Sequence, residues 1–202
     1  LGAIACLGGN LLRALLRLGF EDRRVAESIE AHAKMVLHDG YRCRYNAPRN
    51  ANGEWPPQMR DGLPCAWGAI KVLGAFAEVP GEQRSPAVQD AIETGAALLL
   101  DGNLADGDYP TSTEPSPLWQ QFGFPMGYTS DLLEALEVLG KLGVELGPQL
   151  APFLDVVRSK SDESGRWMLE YTPGNTWAGF GKVGEPNKWV TLRALRVLRQ
   201  CE

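Results

Sequence analysis

Cysteine carries the first suggestion of chemistry. Cys6, Cys43 and Cys65 fall within the first third of the chain. Three thiolates suit Zn²⁺, which is tetrahedral and prefers sulfur and nitrogen ligands. A fourth position would go to water, His38 or Asp61. With water there, the metal would bring the water's pKa towards neutrality and polarise a carbonyl or phosphoryl oxygen, which is how an ester or phosphoester is hydrolysed. No C-x2-C pair is present. The same spacing therefore also accommodates a disulfide, or thiols packed as small hydrophobes. Cys201 sits at the end of the chain and is a bystander.

The second group is a set of charges inside apolar segments: Arg13, Lys71, Glu134 and Arg193. One reading is a solvated helix edge or an internal ion-pair network, because buried charges need partners. The other is an anion or phosphate site in which Lys71 or Arg13 stabilises developing negative charge. Asp131, one turn before Glu134, and Lys188, at the start of the last such segment, are candidates for the same surface. A third group is aromatic. Trp67, Trp119, Tyr128 and Trp189 stand in loops and first turns. They would line an apolar site or face a cation, or else anchor long loops onto helix ends. Two patterns carry nothing. GFGKVG (179–184) follows no strand and runs into Glu185-Pro186, so it is no dinucleotide fingerprint. His32 and His38 fall on different helix faces.

These residues are positioned by an internal repeat. LLRALLRLG (11–19), AIKVLGAFA (69–77), LLEALEVLG (132–140) and TLRALRVLR (191–199) recur about every sixty residues and align Arg13, Lys71, Glu134 and Arg193. Apolar residues return at i, i+3, i+4 and i+7, which predicts amphipathic helices, here called A helices. Residues 24–38, 86–100 and 148–160 form a second set, the B helices, and Pro86 and Pro148 mark helix starts. Each B helix ends in an acidic turn. Long loops (39–64, 101–126, 161–187) follow, and loops of this length are usually functional. The reading is all-α: antiparallel helix pairs repeated along the chain.

Composition bounds the rest. The chain has 202 residues, 44% hydrophobic and 22% charged, enough for a packed core and too apolar for general disorder. A net charge of −5 gives no broad electrostatic case for nucleic acid. No stretch approaches the length of uncharged apolar residues that a membrane span needs. No signal-peptide pattern is visible, so a cytoplasmic location is expected.

The Cys-Ala-Trp-Gly opening of the second A helix (65–68) and the turn DESGRW (162–167) resemble the terpenoid-cyclase and protein-prenyltransferase αα-toroids. DESGRW is similar to the Gln-Trp repeat of squalene cyclases, with Lys160 or Ser161 at the Gln position, and HDGYRC (38–43) is a weaker copy. The resemblance implies an αα-toroid or a partial arc of one, with A helices inside around a central cavity. Cys6, Cys43 and Cys65 would then converge near one mouth of it. The Asp-rich protonating motif of squalene cyclases is missing, since DGD (106–108) is too short. Cys65 is similar to the zinc Cys of prenyltransferases, but Leu63 fills the place of its partner Asp.

The expectation is a single toroid-like domain over residues 1–202, about three and a half helix-pair repeats long. It would be an enzyme acting on a small, largely apolar molecule, with zinc on Cys6, Cys43 and Cys65. Lys71, Arg13 and Asp131 would serve catalysis, and Trp67, Trp119, Tyr128, Trp189 and Lys188 would bind ligand. The alternatives are isoprenoid binding or conversion, and a non-catalytic helical-repeat binding module. A chain that opens on Leu1 at an inner helix, with few repeats, is expected either to have lost an upstream segment or to be closed by a second copy, as a homodimer.

Overall fold

The computed structural model describes residues 4–41, 64–101, 116–127, 129–144, 150–174 and 176–200. Among the described residues the predicted pattern is realised as seven α-helices: α1 (Ala5–Arg17), α2 (Arg23–Asp39), α3 (Ala66–Phe76), α4 (Pro86–Asp101), α5 (Leu132–Lys141), α6 (Ala151–Ser159) and α7 (Lys188–Gln200). Among the described residues there is no strand, only isolated bridges such as Ser161–Trp167 and Met168–Pro186. No described helix is long and apolar enough to cross a membrane. The chain divides into two compact units, residues 1–116 and 117–202.

In the first unit α1 packs along α3, and α2 packs along α4. Every residue of α3 is buried, which matches its almost uninterrupted apolar sequence. Helix α2 buries one stripe only: Val25, His32, Ala33 and Val36. The stripe follows the helical period, and its polar remainder faces solvent. Asp22 caps α2 by accepting the Arg24 N–H at 2.7 Å. Helix α1 ends at Gly19, whose φ of +76° lets the Phe20 N–H return to the Leu15 carbonyl at 3.1 Å. Beyond α2, Tyr41 is buried and donates its hydroxyl to the Ala91 carbonyl of α4 at 3.0 Å. Gly95 makes that possible, because a Cβ there would lie 2.6 Å from the tyrosine oxygen. Burial raises the Tyr41 pKa.

Contact between α1 and α3 depends on small residues. A Cβ on Gly9 would lie 2.5 Å from the Lys71 carbonyl carbon and the Val72 nitrogen. Gly68 lies against Ala5, and Gly74 against the Arg13 side chain. The contacts ascend together along both helices, so α1 and α3 run parallel.

In the second unit α5 and α7 lie side by side, and α6 packs on α7. Gly140 lies against the Gln200 side chain, so this pair is also parallel. The DESGRW turn closes on Asp162, whose carboxylate accepts the Ser164 and Arg166 N–H groups, each at 2.9 Å. The turn delivers Trp167, which donates its indole N–H to the Val157 carbonyl of α6 at 2.7 Å. The Trp167 backbone N–H reaches Thr191 Oγ1 of α7 at 3.0 Å. Lys160, near the Gln position of the resembled repeat, binds Glu170 at 2.7 Å and the Gln120 carbonyl at 2.7 Å.

Two predictions follow from these contacts. Glycine to alanine within a helix ordinarily stabilises by about 1 kcal/mol. At Gly9 the added carbon meets backbone that cannot swing aside. Overpacking of about 1–3 kcal/mol outweighs the propensity gain, so Gly9→Ala lowers the midpoint of denaturant unfolding. Gly74→Ala, which meets only a flexible arginine at 3.1 Å, lowers it less.

The second prediction concerns acid. The Arg166 backbone N–H first, then that of Ser164 and the Arg166 side chain, hold the Asp162 carboxyl below its ordinary pKa of 3.8. The unfolded chain thus binds a proton that the folded chain refuses. The stabilisation is complete above that ordinary pKa and is lost as the pH falls through the folded value. Asp162→Asn should therefore flatten the acid limb of a pH-unfolding curve followed by circular dichroism.

Candidate functional site

A buried charge centre organises the second unit. Asp131 precedes α5 as its cap and is 1% exposed. Its Oδ1 accepts the Glu134 N–H at 2.6 Å and Arg193 Nη2 at 2.9 Å. Its Oδ2 accepts the Gly123 N–H at 3.1 Å and Arg193 Nη1 at 3.1 Å. A carboxylate offers about four acceptor positions, and all are occupied here. Arg193 also donates Nε to Glu137 at 2.8 Å and Nη1 to the Gly123 carbonyl at 2.7 Å. Burial alone would lower the Arg193 pKa, but Asp131, then Glu137, hold it above the usual arginine value. Glu134, the repeat equivalent of Arg193, is buried in the same helix as Glu137. Of the two readings of the aligned charges, the geometry at Arg193 and Asp131 is the ion-pair network.

In the first unit Arg13 Nε meets Glu78 at 3.3 Å, and Arg17 shares that carboxylate at 2.8 Å. Lys71 is fully buried on α3, one turn before Gly74, against which Arg13 packs. The structure thus brings Lys71 and Arg13 to one pair of helices, α1 and α3. Asp131 belongs to the other unit.

Cys6 and Cys65 are both buried at the first turns of α1 and α3. Cys65 is the residue before α3, and its Sγ accepts the Gly68 N–H at 3.4 Å. A Cβ on Gly68 would lie 3.6 Å from the Cys65 Cβ and 3.8 Å from the Cys6 nitrogen, so the two helix starts adjoin. Cys43 and Asp61 lie outside the described residues. His38 is exposed and pairs with Asp39 at 2.6 Å. Among the described residues no three His, Cys, Asp or Glu side chains group as a metal site.

The aromatic candidates separate. Trp67 and Trp119 are buried in the core. Trp189 is half-exposed and stacks on Phe124 with ring centres 5.1 Å apart, and Phe180 meets Phe124 edge-on at 5.3 Å. Lys188 Nζ lies 5.1 Å from the centre of the Trp189 ring. Tyr128 lies outside the described residues. Beside this stack an open groove of about 500 Å³ runs along α7, lined by Arg166, Pro186, Asn187, Lys188, Leu192 and Leu195 among others. Asn187 caps α7 by accepting the Trp189 and Val190 N–H groups at 2.9 and 3.2 Å.

Sequence reasoning passed over Glu137, Glu78 and Asn187. Asn187 had a readable signal, an Asn directly before a periodic segment. Glu137 and Glu78 had none, since their partners come from distant helices. His32 is buried, its Nδ1 2.7 Å from the Ser28 carbonyl oxygen and its Nε2 against Gly8, as a packed residue would be.

Comparison with family models, with curated proteins and with solved structures finds no match to this chain.

Removing one partner of a buried ion pair leaves the other charge uncompensated, at about 3–5 kcal/mol. Arg193→Met should lose stability on that scale in urea unfolding. Arg193→Lys should recover only part of it, because an ammonium cannot reproduce the two-pronged contact with Asp131 and still reach Glu137. An Arg193→Met chain as stable as the parent would show that the network is dispensable.

Proposed function

We propose that this chain is a helical-repeat binding module whose working surface is the apolar face of its inner helices. One observation carries the reading: Leu192 and Leu195 stand exposed on α7 in a groove that Arg166 and Lys188 also line, with half-exposed Trp189 beside it. Contiguous exposed apolar side chains with a polar rim mark interaction surfaces. Asp131, by contrast, spends its acceptor capacity on structure, which supports a positioning role. The parallel packing of neighbouring A helices in each unit supports the toroid or partial arc that the resemblance implies.

An apolar dye such as anilinonaphthalene sulfonate, added to sub-micromolar protein, tests the surface. Leu192→Glu with Leu195→Glu should reduce the dye's fluorescence gain and leave helicity unchanged. An undiminished gain would overturn the reading.

A second reading is favoured by the adjoining burial of Cys6 and Cys65 at two helix starts, where the helix dipole favours thiolates. Cys6, Cys43 and Cys65 would hold zinc, which would supply a water of near-neutral pKa for hydrolysis of a small apolar ester or phosphoester. Lys71 or Arg13 would stabilise the developing negative charge. Elemental analysis separates the readings. One equivalent of zinc, lost in Cys43→Ser and Cys65→Ser, supports the hydrolase. A metal-free protein whose stability ignores chelator counts against it. An isoprenoid version would show prenyl diphosphate binding that fails on charge reversal at Lys71 and Arg13.

A further inference from the structure

We propose that the partner of the α7 face is an acidic amphipathic helix of another protein, one that carries two apolar side chains between two carboxylates. This rests on the binding-module reading and names its partner.

The argument comes from the order of residues along α7. Lys188, Leu192, Leu195 and Arg199 stand at i, i+4, i+7 and i+11, so they form one row along the helix. All four are exposed. At a rise of about 1.5 Å per residue the row is about 16 Å long, with a cation at each end and two leucines between. Exposed Arg196 flanks the row on the same side as Trp189. The groove of about 500 Å³ takes in Lys188, Leu192 and Leu195 from the row, and Arg166 and Pro186 beside it.

The cations of this face are not neutralised within the chain. Helix α7 contains no Asp or Glu. Arg193 is buried and holds Asp131 and Glu137, and Arg166 is paired with Asp162. Lys188, Arg196 and Arg199 have no carboxylate partner among the described residues. Lys188 lies over the Trp189 ring, which leaves its charge in place. Other surface cations find a local carboxylate: Arg23 has Glu27, Arg24 has Asp22, Arg158 has Asp155 and Lys182 has Glu185. A chain of net charge −5 thus gathers three uncompensated cations around one apolar row.

Complementarity defines the occupant. Opposite charges at both ends of the row fix the register of a bound helix, and apolar side chains between them fill the groove. The matching segment has two apolar residues three positions apart, with a carboxylate four positions outside each. A lipid surface suits a helix whose cations lie to the sides of its apolar face. Here Lys188 and Arg199 stand in line with the leucines, and the face is recessed, so it suits a ridge of side chains.

Fluorescence anisotropy of a labelled alanine-rich peptide with that pattern of leucines and glutamates, titrated with the whole chain, tests this. The peptide should bind saturably, and more weakly as salt screens the end charges. The same peptide with lysine for both glutamates should not bind. Lys188→Glu with Arg199→Glu should weaken the glutamate peptide about tenfold and admit the lysine peptide. Leu192→Glu with Leu195→Glu should abolish binding. If a glutamate pair disturbs helicity by circular dichroism, glutamine at the same positions replaces it. Equal affinity for the two peptides, or binding of the glutamate peptide that ignores the reversal at Lys188 and Arg199, would overturn the acidic partner. Cosedimentation with phosphatidylglycerol vesicles and no peptide binding would overturn it in favour of a lipid surface. No peptide binding with dye uptake intact overturns the acidic-helix inference alone. Loss of both overturns the binding-module reading as well.

Discussion

Arg193 and Asp131 would each be well solvated in water; inside the protein they hold each other. The carboxylate receives two guanidinium contacts and two backbone N–H groups, so its desolvation is offset from four directions. That one pairing fixes three segments at once. Asp131 sets where α5 begins, Arg193 sets the rotation of α7, and Gly123 pins the intervening chain to both. Phe122 and Phe124, on either side of Gly123, then meet Glu170 and Tyr171 through backbone hydrogen bonds. The aromatic stack of Phe124 on Trp189 is therefore a product of the ion pair, held where α7 faces solvent.

The first unit meets the same problem with geometry in place of charge. Helices α1 and α3 approach closely because Gly9, Gly68 and Gly74 give up side-chain volume at successive turns. Close approach buries all of α3 and brings the starts of α1 and α3 together, with Cys6 and Cys65. A bulky residue at Gly9 would spread the helices and part the two cysteines.

Most of the helical layout was legible in the sequence, because an amphipathic period of 3.6 is a local property. Pro86 marks the start of α4 as predicted. The DESGRW turn was legible too, since Asp162 and Gly165 act within four residues of each other. The charge centre was visible only in part. The repeat alignment picked out Arg193, and Asp131 was a candidate for the same surface. Their partners were beyond reach: Arg193 and Asp131 are 62 positions apart, and nothing local distinguishes Glu137 from any surface glutamate. Trp67 and Trp119 show the same limit, because a loop tryptophan reads alike whether it lines a site or fills the core.

The parallel packing of α1 on α3 and of α5 on α7 has an evolutionary consequence. The two junctions are locked by different means, a glycine close approach at α1–α3 and an ion pair at α5–α7, so neither pair is interchangeable with the other. Asp131, unlike its repeat equivalents Asn10, Gly68 and Val190, records where the repeats stopped being interchangeable.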